Sequence, residues 1–294
     1  MAYKEMSSKI TEMKRDNVWL SECPSQVLQM TARELAVKFT TSIPEYKKKN
    51  GVQSVRFPAC VKILYKKSVV QIPKIGMIHC EYDRKFIGKI KMITLYKTLT
   101  DKYYIKVTVQ SNIGHSIKPI EEESTLGISE GINTLYALSN GQRISNLGHI
   151  QNTEKRLVRE QRKLSRCTGQ SNRKKQQQVV YKVQEHLNNQ RRDYIQKTTT
   201  KMIRTYNTIV VEKTDGLLQN ILKYKCQWYG NNYVEVGRCK PCSDICSSCG
   251  TVSKTEGPTW LCSCGQQHNR NWNNAMNIRQ LGLRSKPMVV NPKG

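Results

Sequence analysis

Four cysteines carry the sharpest chemical signal in this sequence. Cys246-Ser247-Ser248-Cys249-Gly250 is followed by Cys262-Ser263-Cys264-Gly265. Each pair can form a tight knuckle in which two thiolates meet one ion, and a glycine after each knuckle permits the turn. The intervening residues 250–261 suffice for a short hairpin. Four thiolates at about 2.3 Å close a tetrahedral zinc shell, so Cys246, Cys249, Cys262 and Cys264 are expected to hold a structural zinc that does no catalysis. Cys239 and Cys242 form another C-x-x-C just upstream and His268 lies just downstream; they could compete for the metal, and the reading preferred here treats them as spare.

Two other features bear on chemistry. Thr208-Ile209-Val210-Val211 is a short apolar run that reads as a buried strand ending at Glu212. Ligands of open α/β sheets bind at the carboxyl ends of strands, which makes Glu212 well placed. A single Glu after a strand means little alone. Residues 154–175 carry nine Lys/Arg against two Glu. In a chain this basic, phosphate contact is the better reading than a merely solvated face, and it nominates Arg156, Arg159, Arg162, Lys163, Arg166, Arg173, Lys174 and Lys175, with Arg191 and Arg192 beyond them.

The elements that must position these groups can be sketched from periodicity. Residues 1–46 read as helical: Pro24 suits the start of a helix, and Val27, Leu28, Leu35 and Phe39 recur at near-helical spacing. After the break at 43–51, residues 61–65, 69–72, 89–95 and 104–109 alternate as short strands, which suggests a small β-barrel or sandwich over 47–117 with one basic, solvated face. Residues 118–124, with Pro119 and three consecutive Glu, read as a linker. A second domain begins at about 125 with strands near 126–132 and 135–138 and an Asn140-Gly141 hairpin turn. A loop is expected near 168–171, and then a long helix whose buried face is Val180, Val183, Leu187, Tyr194 and Met202.

Bulk properties agree. The chain has 294 residues, enough for about two domains. Forty-nine Lys+Arg against 22 Asp+Glu give a formal net charge of +27, and only 37% of residues are hydrophobic. Such a field favours a polyanion, nucleic acid first. A membrane surface is the weaker match, because the basic runs lack amphipathic faces bearing Trp or Phe. Residues 1–17 are polar with no apolar central region, and no stretch is long and apolar enough to span a bilayer, so the expected location is cytoplasmic. There, eleven Cys imply metal or free thiols rather than disulfides.

The order of these pieces resembles the TnpB family, the OrfB proteins of transposons related to miniature type V CRISPR effectors. The resemblance is carried by Val18-Trp19-Leu20 with Pro24-Ser25-Gln26-Val27-Leu28-Gln29, by Gln71-Ile72-Pro73-Lys74-Ile75-Gly76, and by residues 127–141. It continues through Asn189-Gln190-Arg191-Arg192-Asp193-Tyr194, residues 208–216, Trp228-Tyr229-Gly230, the ribbon and residues 268–278, so it spans nearly the whole chain. It implies a mixed α+β and α/β architecture. A helical piece (1–46) and a β-barrel (47–117) would be joined by the linker (118–124) to an RNase H-like, RuvC-type domain (125–238). A zinc ribbon (239–268) would be inserted before that domain's last motif (269–280), and a basic tail (281–294) would follow. The partners implied are a guide RNA and double-stranded target DNA.

Family members cut DNA with three carboxylates on divalent metal. In the Gly-Ile-Asp-x-Gly strand the resemblance places Ser129 at the Asp position; Glu212 is intact; in the Asp-Arg-Asp-x-Asn-Ala motif, Asn271 stands at the metal-binding Asp. A two-metal site must offset the charge of two divalent ions, and Ser and Asn are poor magnesium ligands. Magnesium is therefore not expected to bind productively, and the chain resembles nuclease-dead TnpB descendants known as TldR repressors. Glu130 adjoins Ser129, but successive strand residues face opposite sides of a sheet, so it is not expected to rescue cleavage. The family's opening strand and first helix are not recognised, and residues 217–228 look shorter than the family's. These departures keep a decayed transposon remnant as an alternative, with a residual magnesium-dependent nuclease behind it. No nucleophile motif for DNA strand transfer is found.

Overall fold

The computed structural model describes residues 3–43, 45, 51–58, 61–83, 85–86, 88–110, 116–131, 136–145, 147–214, 216–237, 242–253 and 257–284. The run at 47–49, Cys239 and the tail from 285 lie outside them. The chain divides into two compact units, Met1–Ile113 and Gly114–Gly294. Among the described residues no helix is long and apolar enough to cross a membrane.

The first unit starts with helices α1 (Tyr3–Asp16) and α2 (Ser25–Thr41). Pro24 is the N-cap of α2, its carbonyl accepting the Val27 amide at 2.9 Å. Val27 reaches the unit's core, but Leu35 and Phe39, from the same predicted stripe, are 37% and 45% exposed. Six strands follow: β1 (Gln53–Pro58), β2 (Lys62–Leu64), β3 (Val69–Ile72), β4 (Gly76–His79), β5 (Lys89–Lys97) and β6 (Tyr103–Gln110). They do not close into the expected barrel. They form two three-stranded antiparallel sheets, ordered β1-β5-β6 and β2-β3-β4. Phe57 and Ile93 from one sheet and Val70 and Ile72 from the other share a single core. Alternation gives each sheet one apolar face to bury, whereas closure needs strands long enough to tilt and stagger. Strands as short as β2, with three residues, do not supply that length.

The second unit is mixed α/β. Strands β7 (Thr125–Glu130), β8 (Tyr136–Leu138) and β9 (Arg143–Ile144) form an antiparallel meander. At its Asn140-Gly141 turn, Gly141 has φ +84° and the Asn140 side chain accepts the Gln142 amide at 3.0 Å. Helices α3 (Gly148–Arg166) and α4 (Gln170–Thr205) make a long hairpin, with Ile150, Leu157, Val180, Val183 and Leu187 buried between them. Glu160 of α3 is buried there; its Oε2 accepts from Gln176 Nε2 at 2.9 Å, and its Oε1 lies 3.0 Å from Lys163 Nζ. These donors hold its carboxyl below the usual carboxylate range. Strand β10 (Thr208–Glu212), helix α5 (Leu217–Tyr229) and strand β11 (Asn232–Val236) complete the sheet in the order β11-β10-β7-β8-β9, with β10 parallel to both β7 and β11.

Alternation sorts the two faces of this sheet. Leu126, Ile128, Ile209 and Val211 pack with Leu218, Ile221 and Leu222 of α5. On the other face, Val210, Val234 and Val236 pack with Ile278 of the last helix, α6 (Arg270–Arg284). That helix follows a small two-stranded ribbon, β12 (Thr259–Leu261) and β13 (Gln267–Asn269).

Candidate functional site

The four cysteines converge. The Sγ atoms of Cys246, Cys249, Cys262 and Cys264 all lie within 4.8 Å of one another. Cys246 and Cys264 are 3.8 Å apart and Cys249 and Cys262 are 3.6 Å apart. A tetrahedron of thiolates about 2.3 Å from a zinc ion has edges of about 3.8 Å, so the donor set fits such an ion in both chemistry and size. Both knuckles are built alike. The Gly250 amide donates to the Cys246 carbonyl and the Gly265 amide to the Cys262 carbonyl, each at 2.9 Å. Gly250 and Gly265 adopt φ +79° and +86°, the left-handed turn that glycine permits. Hydrogen bonding from Thr251 pulls the Cys249 thiol down to about 6 and the Cys264 backbone amide lowers Cys262, whereas the neighbouring sulfurs of Cys249 and Cys262 push Cys264 up to about 12.

His268 lies against this cluster without being one of its four members. It is 1% exposed, and its Nε2 lies 3.0 Å from Cys246 Sγ. Burial lowers its pKa. Cys242 is buried and is not one of the clustered sulfurs.

Helix α6 joins this cluster to the sheet. One face carries Asn273, Asn277 and Gln280, spaced four and three residues apart and therefore aligned. The Asn273 side chain accepts the Ser247 amide at 2.9 Å and donates to the Ile245 carbonyl at 2.7 Å. Asn277 donates to the Cys242 and Ile245 carbonyls at 2.7 and 2.8 Å, and Gln280 to the Ser247 carbonyl at 3.1 Å. Three amides thus grip the backbone of the first knuckle. The opposite face lies hard against the sheet. A Cβ on Gly282 would come within 2.3 Å of Val210, and one on Gly127 within 2.2 Å of the Ala275 carbonyl.

Two of the three positions tied to cleavage by the family resemblance, Ser129 and Glu212, sit at adjoining strand ends on the face that α6 covers. Strands β7 and β10 run in register from Thr125 beside Thr208 to Ile128 beside Val211. One further step sets Ser129 beside Glu212, both on the α6 face by alternation. Ser129 is 1% exposed, and its hydroxyl accepts from Asn274 Nδ2 at 2.7 Å and donates to the Glu130 carbonyl at 3.2 Å. Asn271 precedes Asn274 by three residues and Ala275 by four, which puts it on the sheet side of α6 one turn earlier. Glu212 is half-buried, and its side chain makes no hydrogen bond or ion pair with a described residue. Glu130 belongs to the other face. Its carboxylate accepts from Thr214 Oγ1 at 3.1 Å and Gln219 Nε2 at 3.3 Å, beside α5.

The ten basic candidates are all exposed. On α3 they fall on the side of the helix opposite Ile150, Leu157 and Leu164. Some also hold the hairpin. Arg191 is 2.7 Å from Glu154, and Lys163 and Arg159 lie 3.0 and 3.7 Å from Glu160. Arg156, Arg162, Arg166, Arg173, Lys174, Lys175 and Arg192 have no acidic partner among the described residues. Sequence reasoning had no signal for Asn274 or for the Asn273–Asn277–Gln280 grip, since their partners are set by how α6 docks.

Comparison with known proteins accords with the geometry. The OrfB_IS605 family, described as a probable transposase, matches residues 104–215, and the Cas12f1-like TNB domain matches residues 216–278. A putative RNA-guided DNA endonuclease of Streptomyces pristinaespiralis is 26% identical over 96% of this chain and 78% of its own length. The putative RNA-guided DNA endonuclease InsQ of Escherichia coli K12 is 29% identical over 71% of this chain; the match spans 54% of that relative. A Cas12f1 chain from a cryo-EM structure with sgRNA and target DNA overlaps with a TM-score of 0.42 and 15% identity, over 87% of this chain and 78% of that one. Two consecutive domain matches, together covering residues 104–278, and relatives aligned along most of the chain support the TnpB family.

Proposed function

We propose that this chain is an RNA-guided DNA-binding protein that no longer cuts DNA and that represses transcription where it binds. The observation that carries the reading is the neutral Ser129–Asn274 hydrogen bond beside Glu212. Where RuvC-type nucleases gather three carboxylates for divalent metal, this chain keeps one, and an amide occupies the hydroxyl that replaces another. One carboxylate cannot offset two divalent ions, so magnesium does not bind productively and strand cleavage is lost.

Other features support the binding half of the reading. The relatives bear the name of RNA-guided DNA endonucleases. The meander β7-β8-β9, followed by helices and the parallel strands β10 and β11, is the strand order expected of an RNase H-like domain. The exposed arginines and lysines of α3 and α4 suit phosphate, with base pairing to a guide RNA choosing a double-stranded target. The four cysteines hold a structural zinc. Glu130 does not restore a nuclease, because its carboxylate serves the α5 side of the sheet.

The test has two arms. Protein purified from cells carrying its native flanking DNA is expected to bring down one discrete RNA, and a guide built on that RNA should repress a reporter whose promoter it matches. With magnesium and the matched target, no cleavage is expected. Only random RNA fragments, or no repression by soluble protein, would overturn guided binding; magnesium-dependent cutting would overturn the inactivity.

A further inference from the structure

We infer that His268 is part of the metal centre, not as a ligand but as the hydrogen-bond donor that positions the Cys246 thiolate. This rests on the zinc reading of the four cysteines and goes beyond it, since ligand spacing alone leaves His268 without a role.

Geometry separates a ligand from a donor. Two atoms bound to one tetrahedral zinc, a sulfur at about 2.3 Å and a nitrogen at about 2.0 Å, lie about 3.5 Å apart. His268 Nε2 and Cys246 Sγ are 3.0 Å apart, too close for two ligands and suited to an N–H donor on sulfur. The four sulfurs lie within 4.8 Å of one another, enough to fill the four vertices of a zinc tetrahedron and leave none for nitrogen.

Burial explains why a protein donor is needed at this sulfur. Four thiolates on a divalent ion leave two net negative charges. Cys249 and Cys264 are exposed, so water can solvate them. Cys246 is 1% exposed, and among the described residues its sulfur accepts from the backbone only the Cys249 amide, at 3.5 Å. A buried anion with few donors is costly, and His268 supplies a second. The ring is held for the task. Trp260 and His268 are cross-strand partners in the β12–β13 ribbon, with ring centroids 4.7 Å apart. A thiolate can only accept, so the proton must sit on Nε2; Nδ1, buried without a hydrogen-bond partner, is then the bare nitrogen. The next residue, Asn269, accepts the Trp272 amide at 3.3 Å and so begins α6, which links the thiolate's position to that of the helix.

The experiment uses the full chain with cobalt or zinc. X-ray absorption of the unaltered protein should report four sulfurs and no nitrogen. His268→Phe should weaken metal affinity by about 10–100-fold in chelator competition and shift the sulfur-to-cobalt charge-transfer band, with four sulfurs still bound. His268→Gln, which keeps an N–H donor, should recover part of both. Packing alone would not move the charge-transfer band. Unchanged affinity and spectrum in His268→Phe, or a three-sulfur, one-nitrogen shell in the unaltered protein, would overturn the assignment while leaving the ribbon a metal site. Unaltered protein that takes up no metal would overturn the zinc reading and this one with it. Should His268→Phe fail to fold, nitrogen-15 spectra of the unaltered zinc protein decide the matter: a proton on Nε2 supports the donor role and a proton on Nδ1 overturns it.

Discussion

At the scale of single residues, the contrast between Ser129 and Glu130 shows how one strand serves two purposes. They are neighbours in sequence, yet Ser129 faces α6 and the amide of Asn274, while Glu130 turns to Thr214 and Gln219 beside α5. The carboxylate of Glu130 therefore points away from Glu212. Acids restored on the α6 face should be of use to it. The double variant Ser129→Asp/Asn271→Asp is expected to gain magnesium binding, read as a rise of several degrees in melting temperature on adding millimolar magnesium. The unaltered protein should show no such rise. An equal rise in both proteins would mean that the native residues already hold the ion, against the proposed inactivity.

At the scale of elements, α6 is the connection between metal cluster and sheet. Asn273, Asn277 and Gln280 hold the first knuckle, and the opposite face of the helix contacts Gly127 and Val210. On the proposed zinc reading, Cys246 and Cys249 meeting a metal would in turn shape the knuckle's backbone, and metal-binding energy in a small ribbon is folding energy. Stripping the metal with a chelator should therefore reach beyond the ribbon. Amide hydrogen exchange is expected to rise at least about tenfold in α6, while the α3–α4 hairpin, with its own core of Leu157, Val183 and Leu187, keeps its protection. Exchange confined to residues 242–269 would show that the helix docks without help from the metal.

For the whole molecule, a net charge of +27 sets the terms of binding. Each phosphate contact releases counterions, so affinity for nucleic acid should fall steeply with salt. Arg156, Arg162 and Arg166 share the outer face of α3 and have no acidic partner among the described residues, so their charge is available to phosphate. Replacing all three with Gln is expected to lower the slope of log affinity against log salt by roughly two to three, at about 0.7–0.9 per lost contact. An unchanged slope would move the phosphate contacts off this helix. Arg191, by contrast, is engaged with Glu154, and its loss should show first in the stability of the hairpin.

The sequence by itself determined what depends on near neighbours along the chain. Cysteine spacing brought two pairs of thiolates into reach of one another, because a knuckle is a matter of a few backbone angles and one glycine. A short continuous apolar run marked β10 and helical spacing marked the buried line Val180, Val183, Leu187 and Met202, because both are properties of the local sequence. Family resemblance pointed to Ser129, Glu212 and Asn271. Tertiary structure decided the rest. The barrel stays open as two facing sheets, since apolar alternation specifies which faces are buried and not which edges pair. Leu35 and Phe39 remain exposed on a helix whose pattern alone would bury them. The amide on Ser129 comes from 145 residues away, and the donor on Cys246 from 22. Such pairings are chosen by where α6 and the ribbon dock, through packing against glycines and strand faces that no local spacing encodes.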